Sequence, residues 1–286
     1  PSAGTGASFT GINNTLKLFP ACFAYTDVFE FNFGQRSFQY TPPTGFVALQ
    51  QDNLPETAKG ITGMSWTKDR DNSSTNHEMY DSSRGPFQEL RSNTDTAENT
   101  RPQALSKFLK GGFAVGDRTG MNSSGNSYVS WNWVANSGTT ESISAAGDID
   151  IASTVQKNTT AGFSIVQWTG DNASTAGIGH GLSAAPEWIL VKNLADTTDW
   201  FVYHKSVDAD KTLKLNSTAV PGNFTTGKFD HSEIDATKFE VAQGGSNANS
   251  VNGSGDSMIA YCWHGVDGFS KFGSYTGNGN ANGAFV

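Results

Sequence analysis

Short runs in which apolar and polar side chains alternate recur along the chain, and turn-forming residues separate them. In the second half these runs are residues 188–192, 200–204, 211–215, 239–242 and 258–263. Alternation with a period of two is typical of strands that bury one face. Their spacing of about 8–12 residues is typical of a sandwich or barrel. The pattern predicts an all-β fold of short strands and long polar loops.

Helical periodicity is weak. The best helix candidate is residues 102–109, because a proline occupies its first turn and two glycines follow it. We therefore expect little helix beyond this segment.

An internal repeat organises the chain. Residues 122–133 match residues 252–263 at five of twelve positions, 130 residues apart. Matches at an offset of 123 to 126 residues precede this one, and they pair Trp66 with Leu190, Tyr80 with Tyr203, Leu90 with Leu213 and Phe113 with Phe239. The growing offset indicates longer loops in the second copy, where insertions are best tolerated. The repeat predicts tandem β-sandwich-like units.

A second repeated element fixes the order of the units. Residues 162–170, which open the second unit, resemble residues 268–277, so a third unit begins near Gly268. The first unit lacks this opening strand. The chain stops in mid-pattern, so we expect a fragment of a longer protein. The predicted segments are 1–54 (the end of an upstream sandwich), 55–136 (first repeat unit), 137–160 (connector), 161–267 (second repeat unit) and 268–286 (start of a truncated third unit).

Composition excludes several function classes. Gly accounts for 32 of 286 residues, charged residues for only 16%, and the formal net charge is -8. The acidic balance argues against nucleic-acid binding, which needs a surplus of Lys and Arg. No run of about eighteen apolar residues is present, so membrane insertion is not expected.

Few side chains carry a catalytic signature. Cys22 and Cys262 lie outside any Cys-x-x-Cys pair, and we expect two buried thiols, with a long-range disulfide as the alternative. The Gly-rich segment 177–181 precedes a predicted strand rather than a helix. We therefore expect a tight turn with His180 as a hydrogen-bonding loop residue, not a phosphate cradle.

Several motifs resemble a known family. Residues 31–49 contain Asn-Phe-Gly-Gln followed by Tyr-Thr-Pro-Pro-Thr-Gly-Phe-Val-Ala-Leu, and further matches lie at 66–70, 80–86, 128–133 and 272–279. In this order they resemble SPRY-domain-containing structural, tail-fibre-like proteins of marine tailed bacteriophages. The resemblance assigns residues 1–54 to the C-terminal part of a SPRY-like sandwich. It implies location on the virion, a structural role and no catalytic residues.

The expected function is therefore host contact by a tail fibre or similar appendage, without enzymatic activity. We expect a homotrimer that joins other virion proteins and binds host surface polysaccharide through polar loops on a rigid scaffold. The predicted binding residues are Asn122, Asn126, Asn252, Asp256, Asn278 and Asn280. No cofactor is expected. Trp131, Trp133, Tyr261 and Trp263 lie in apolar strands and are predicted to be core residues.

Two alternative functions stay open. The first is a capsid decoration or neck and collar protein. The second is a polysaccharide depolymerase, which needs two carboxylates; the pairs Asp69/Asp71 and Asp148/Asp150 qualify by proximity but are expected to be solvated turn residues. Residues 69–72 also offer oxygen ligands to calcium, although they lack the Gly and distal Glu of an EF-hand loop.

Overall fold

The computed structural model describes residues 62–109, 111–135, 139–209, 211–223, 228–242 and 249–283. The predicted sandwich segment 1–54 and Cys22 lie outside these ranges. The first repeat contains β1 (Gly63–Asp69), β2 (Glu78–Asp81), β3 (Gln88–Arg91), β4 (Asn99–Thr100), β5 (Leu105–Leu109), β6 (Gly112–Val115), α1 (Thr119–Asn122) and β7 (Tyr128–Val134).

The second repeat is preceded by two further strands. These are β8 (Glu141–Ile143) and β9 (Ser153–Asn158). The repeat itself contains β10 (Phe163–Thr169), β11 (Thr175–Gly179), β12 (Trp188–Asn193), β13 (Phe201–His204), β14 (Lys211–Lys214), β15 (Gly222–Asn223), a 3-10 helix (His231–Glu233), β16 (Lys238–Ala242), α2 (Asn249–Asn252) and β17 (Ser257–Trp263). The prediction of an all-β fold with little helix is confirmed, because both α-helices are single turns of four residues.

The two repeats share one sheet topology. The first forms an antiparallel sheet of order β4-β3-β2-β1-β7, and the second forms β15-β14-β13-β12-β17-β10-β9-β8. The first five strands of the second sheet are the sequence counterparts of the five strands of the first, in the same order. The repeat seen in the sequence is therefore a repeat of structure.

A shared hydrophobic core joins the repeats. It contains Met64, Met79 and Leu90 from the first sheet, with Leu190 and Tyr261 among its residues from the second. Positions that correspond in the repeat alignment lie on the two facing surfaces. The sheets thus pack through equivalent faces.

Each sheet also has a core on its outer face, which is larger than the shared core in the second repeat and smaller in the first. The pair β11–β16 covers the eight-stranded sheet through Ile178, Phe239 and Val241. The hairpin β5–β6 covers the five-stranded sheet around Tyr80 and Leu105. The two repeats together thus form two stacked sheets with a two-stranded ribbon on each outer face.

The predicted helix at residues 102–109 is wrong. Its second half is the strand β5, which pairs with β6 across a turn where Gly111 has φ of 75°. Leu105 is fully buried against Tyr80 and Met121. A partner strand adjacent in sequence, together with a fixed site for Leu105, outweighs the helix-start signal of Pro102.

The structure also places the segments that precede and follow the second repeat. The segment 137–160, expected as a connector, contributes β8 and β9 to the eight-stranded sheet, and Val155 on β9 is a core residue. Residues 268–283 form no helix or extended strand and are largely exposed. Cys262 is a free, buried thiol, as predicted.

The prediction that the paired aromatics of both repeats are core residues is wrong for Trp131. Tyr261 and Trp263 are buried and Trp133 packs against the shared core, but Trp131 is 45% exposed. The reason is position in the sheet. β17 has strands on both sides, whereas β7 is an edge strand among the described residues.

The shared core predicts a large difference between two tryptophan substitutions. The Trp263 ring packs against those of Trp188 and Phe163, with centroid distances of 4.3 Å and 5.1 Å. Trp263→Ala should cost about 3–5 kcal/mol of unfolding free energy. The matched control Trp131→Ala should cost less than half of that, because its ring is half in water. Urea denaturation followed by circular dichroism measures both, and equal losses would contradict the described packing.

Candidate functional site

The loop residues predicted for binding hold turns together. In the first repeat the Asp69 carboxylate accepts hydrogen bonds from the backbone N–H groups of Asp71 and Asn72 and from the Asn126 side chain at 2.9 Å. Burial alone would raise the pKa of Asp69, but these donors and the Tyr128 hydroxyl outweigh it and lower the pKa. Asn126 thus serves to fix the loop after β1.

The second repeat contains the same clamp with the chemistry reversed. The Asn193 side-chain oxygen accepts from the backbone N–H groups of Ala195 and Asp196, and its amide donates to Asp256 at 2.8 Å. Asn193 is the counterpart of Asp69, and Asp256 is the counterpart of Asn126. Carboxylate and amide have exchanged places while the bond is kept, which indicates that both loops depend on this contact.

A lysine secures each of these loops. Lys68 Nζ donates to the backbone oxygens of Asp69 and Asn72 at 2.7 Å and 2.9 Å. Its counterpart Lys192 is fully buried and donates to the backbone oxygens of Asn193 and Asp196 at 2.9 Å and 3.1 Å. Burial lowers the pKa of Lys192 to about 8. Both loops are therefore held by an ammonium group as well as by the clamp.

The other predicted binding residues also have partners within the chain. Asn122 donates to the Gly116 carbonyl, and the buried Asn252 exchanges hydrogen bonds with Asp171. The exposed Asn278 side chain donates to the carbonyl of residue 282 and accepts from the Asn280 backbone, so these bonds stay within the C-terminal segment. The hydrogen bonds of these predicted residues are therefore made to groups close to them in the fold.

The residues considered for catalysis or metal binding do not form a cluster. Within the described ranges no group of three His, Cys, Asp or Glu side chains could hold a metal ion. Asp150 lies in an exposed loop and accepts from the Gly177 N–H at 2.7 Å. No helix in the described part of the chain is long and apolar enough to span a membrane.

His180 is a hydrogen-bonding loop residue, as predicted, but the expected tight turn at 177–181 is wrong, because residues 177–179 pair with β16 as part of β11. It is fully buried directly after β11, where Nδ1 accepts from the Leu182 N–H and Nε2 lies 3.0 Å from the Asp235 carbonyl oxygen. Burial lowers its pKa to about 4. The imidazole is therefore neutral near pH 7, and its role is to join two loops.

A polar cleft of about 520 Å³ lies between the repeats. The first repeat contributes Ser83, Arg84, Gln88 and Glu98, and the second contributes Gln167, Leu194, Ala195 and Ser257. The carboxylate, guanidinium, amide and hydroxyl groups of this lining can each donate or accept hydrogen bonds. Because the lining comes from both repeats, the cleft exists only when the two sheets are packed together.

A buried ion pair forms the floor of the cleft. Arg84 Nε lies 2.5 Å from the Asp81 carboxylate, and its Nη1 lies 2.9 Å from Glu98. The Tyr261 hydroxyl of the second repeat donates to Asp81 at 2.6 Å. Although burial would raise the pKa of Asp81, the charge of Arg84 and the bond from Tyr261 hold it below its usual range. Arg84 is thus fixed in position before any ligand arrives.

A second cleft of about 370 Å³ shares two lining residues with the first, Gln167 and Ser257. Its other polar lining consists mostly of hydroxyls, from Ser142, Ser144, Ser153, Thr154 and Thr169. Trp168 also lines it, and the buried Trp168 indole N–H has no hydrogen-bond partner in the structure. The lining of the second cleft comes entirely from the second repeat and the strands β8 and β9 with their connecting segment. Because Gln167 and Ser257 line both clefts, we call the two together the inter-repeat groove. No pattern in the sequence indicates it, because its residues come from segments distant in sequence, and the motifs that contain some of them (80–86, 162–170 and 252–263) do not show that these segments meet.

A separate cluster of charges is buried on the outer side of the first sheet. Glu78 and Glu89 are each 1% exposed, and Arg118 pairs with both, at 3.2 Å and 3.1 Å. The Tyr80 hydroxyl donates to Glu78 at 2.8 Å. Burial and the neighbouring Glu89 charge raise the pKa of Glu78. Two carboxylates thus lie close together at a place that sequence spacing did not indicate.

The reversed loop clamps make a rescue experiment available. Asn193→Asp places two carboxylates face to face and should cost about 1–3 kcal/mol of unfolding free energy at pH 7. Adding Asp256→Asn recreates the arrangement of Asp69 with Asn126 and should restore most of the loss. Urea denaturation of the single and double variants measures this. A double variant no more stable than the single one would contradict the equivalence of the clamps.

Comparison with known proteins assigns the chain to a family but indicates no activity. No curated protein and no solved structure matches it. One family model, described as a domain of unknown function (DUF7483), matches residues 55–286, which contain both repeats and the inter-repeat groove. The chain therefore belongs to the DUF7483 family.

Proposed function

We propose that this protein is a structural component of a bacteriophage virion, part of a tail fibre or host-contacting appendage, and that it binds host surface glycans in the inter-repeat groove. The assignment to a virion rests on the resemblance of residues 31–49 and the later motifs to tail-fibre-like phage proteins. The assignment of a binding site rests on the groove. The expected homotrimer and its contacts with other virion proteins belong to the same proposal.

The observation that carries the binding proposal is the chemistry of the groove lining. Sugars present many hydroxyl groups, each both donor and acceptor, so their sites use amide, hydroxyl and charged side chains placed on a rigid frame. Gln88 and Gln167 supply amides from opposite repeats, and Ser83 and Ser257 supply hydroxyls. The serine and threonine hydroxyls of the second cleft extend the same chemistry beyond Gln167 and Ser257.

Rigid loops beside the groove, and several copies of the protein on one appendage, would let a site of low affinity hold a host surface. The loop after β12, which contributes Leu194 and Ala195 to the groove, is held by the Asn193 clamp and by Lys192. A preformed site avoids the entropy cost of ordering loops on binding. Several copies on one appendage would then raise a weak single-site affinity through avidity.

A depolymerase is the second candidate because of one observation, the pair of buried carboxylates Glu78 and Glu89. A carboxyl group with a raised pKa is the form that a general acid requires. Against this role, Arg118 and Arg91 already pair with the two carboxylates. A neck, collar or decoration protein would use the same scaffold at another place on the particle.

Glycan binding can be tested on an array of bacterial capsular and lipopolysaccharide glycans. The purified protein should bind a subset, and Gln167→Ala together with Gln88→Ala should weaken binding at least tenfold, because both residues line the groove. Asn280→Ala is the matched control, since Asn280 is exposed outside the groove. Absence of any binding, or equal weakening by the control, would contradict the assignment of the groove.

The depolymerase alternative predicts release of reducing sugar from a bound polysaccharide. We expect none. Release by the unmodified protein that Glu78→Gln abolishes, with the fold unchanged by circular dichroism, would replace the adhesion proposal with an enzymatic one. Antibody labelling of virions then separates the structural alternatives, since an appendage protein is labelled at distal tips and a neck protein at the collar.

A further inference from the structure

Among the described residues, one edge of β7 has no partner strand, whereas its counterpart β17 is paired on both sides. β17 pairs with β12 on one side and with β10 on the other. β7 pairs with β1, the counterpart of β12, and no described strand lies on its other side. The position without a described strand is the equivalent of that of β10, the opening strand for which the sequence shows no counterpart in the first repeat.

The β7 edge has none of the features that protect exposed edges. It pairs with β1 over seven residues without a bulge, and it contains neither Lys nor Pro. Trp131 and Asn132 on this strand are exposed. A long, regular edge of this kind presents backbone N–H and C=O groups to any strand that fits.

The chain contains a second segment that resembles the opening strand β10. Residues 268–277 resemble residues 162–170, which contain β10, including the initial Gly-Phe-Ser and the final aromatic-Thr-Gly. In the structure this segment joins no sheet and makes only an isolated bridge from Ser270 to Val266. Phe269 and Tyr275 are 71% and 68% exposed, and Phe272 rests against Trp188 of the second repeat at 6.0 Å between rings.

We propose that residues 268–277 of one copy add as a strand to the β7 edge of another copy. Each chain then donates one strand and accepts one, which is a head-to-tail contact that closes into a ring such as a trimer. A second copy is the occupant because, within one chain, Phe272 holds the segment on the second repeat while its exposed aromatic residues and the β7 edge both stay without partners among the described residues.

The pairing of β10 with β17 gives the register of the proposed contact. Phe163 is opposite Trp263, and Ser164 is opposite Cys262. The counterparts place Phe269 opposite Trp133 and Ser270 opposite Asn132. Directly opposite residues of antiparallel strands are about 4.5–5.5 Å apart at Cα, within the range that a disulfide bridges.

A mixing experiment tests both partner and register. Ser270→Cys and Asn132→Cys are made in separate proteins, each with Cys22→Ser, and mixed under mild oxidation. We expect a disulfide-linked dimer containing one of each, at least tenfold more abundant than with Asn280→Cys in place of Ser270→Cys. No such dimer, or a disulfide that forms only within one chain carrying both substitutions, would overturn the proposal.

A second variant tests assembly without cross-linking. The double change Phe269→Ser and Tyr275→Ser removes two exposed rings, so the fold should stay intact by circular dichroism. In analytical ultracentrifugation the unmodified protein should form oligomers as concentration rises, and the variant should stay monomeric. A monomeric unmodified protein, or oligomers that persist in the variant, would overturn the proposal.

Hydrogen exchange and glycan binding complete the test. Protection of the β7 amides that persists in the double variant would also overturn the proposal, because another segment would then cover this edge. Glycan-array binding is a separate readout, so failure of this contact is distinguishable from failure of the groove.

Discussion

Burial of one apolar face of each repeat against the other is the constraint on which the rest of the structure depends. A single sheet with a two-stranded ribbon on one side would leave its second face exposed to water. Trp133 and Trp263 are counterparts in the repeat, and their rings meet at 5.7 Å in the shared core. The hydrophobic effect therefore ties the two repeats into one body and creates the groove between them.

The two repeats differ in the residues on their outer faces, which do not contact each other. The outer face of β1 carries Ser65 and Thr67, whereas the counterparts on β12 are Ile189 and Val191, which β11 and β16 cover. Likewise the buried Glu78 corresponds to Phe201 in the core of the second repeat. The second repeat thus supplies most of the apolar core, and the first carries buried charge and a strand edge without a partner among the described residues.

The sequence predicted the repeat and the main strands of the second repeat because both are local patterns. Alternation located β12, β13, β14, β16 and β17 within one or two residues, since their buried faces impose a period of two. It misjudged Trp131 because the difference between an edge strand and a central strand depends on a neighbour distant in sequence. The prediction of a helix at residues 102–109 was wrong for a similar reason, since pairing with β6 decides the conformation of this segment.

The groove could not be predicted from the sequence, because no motif links residues 83–98 with 167 and 257. Asn126 and Asp256 were predicted to bind a ligand because polar loops on a rigid scaffold commonly do so. In the structure both side chains belong to clamps that hold turns, a role that depends on Asp69 and Asn193, which are distant in sequence.

Native-state hydrogen exchange tests the central claim that the repeats form one cooperative body. The amides of Met79 on β2 and Leu190 on β12 lie in different repeats but in the same core. If the account holds, both exchange through the same opening, with equal free energies and equal denaturant dependence. If the amides of one repeat exchange through an opening of clearly lower free energy than those of the other, the repeats are independent units. The shared core then does not tie them into one cooperative body.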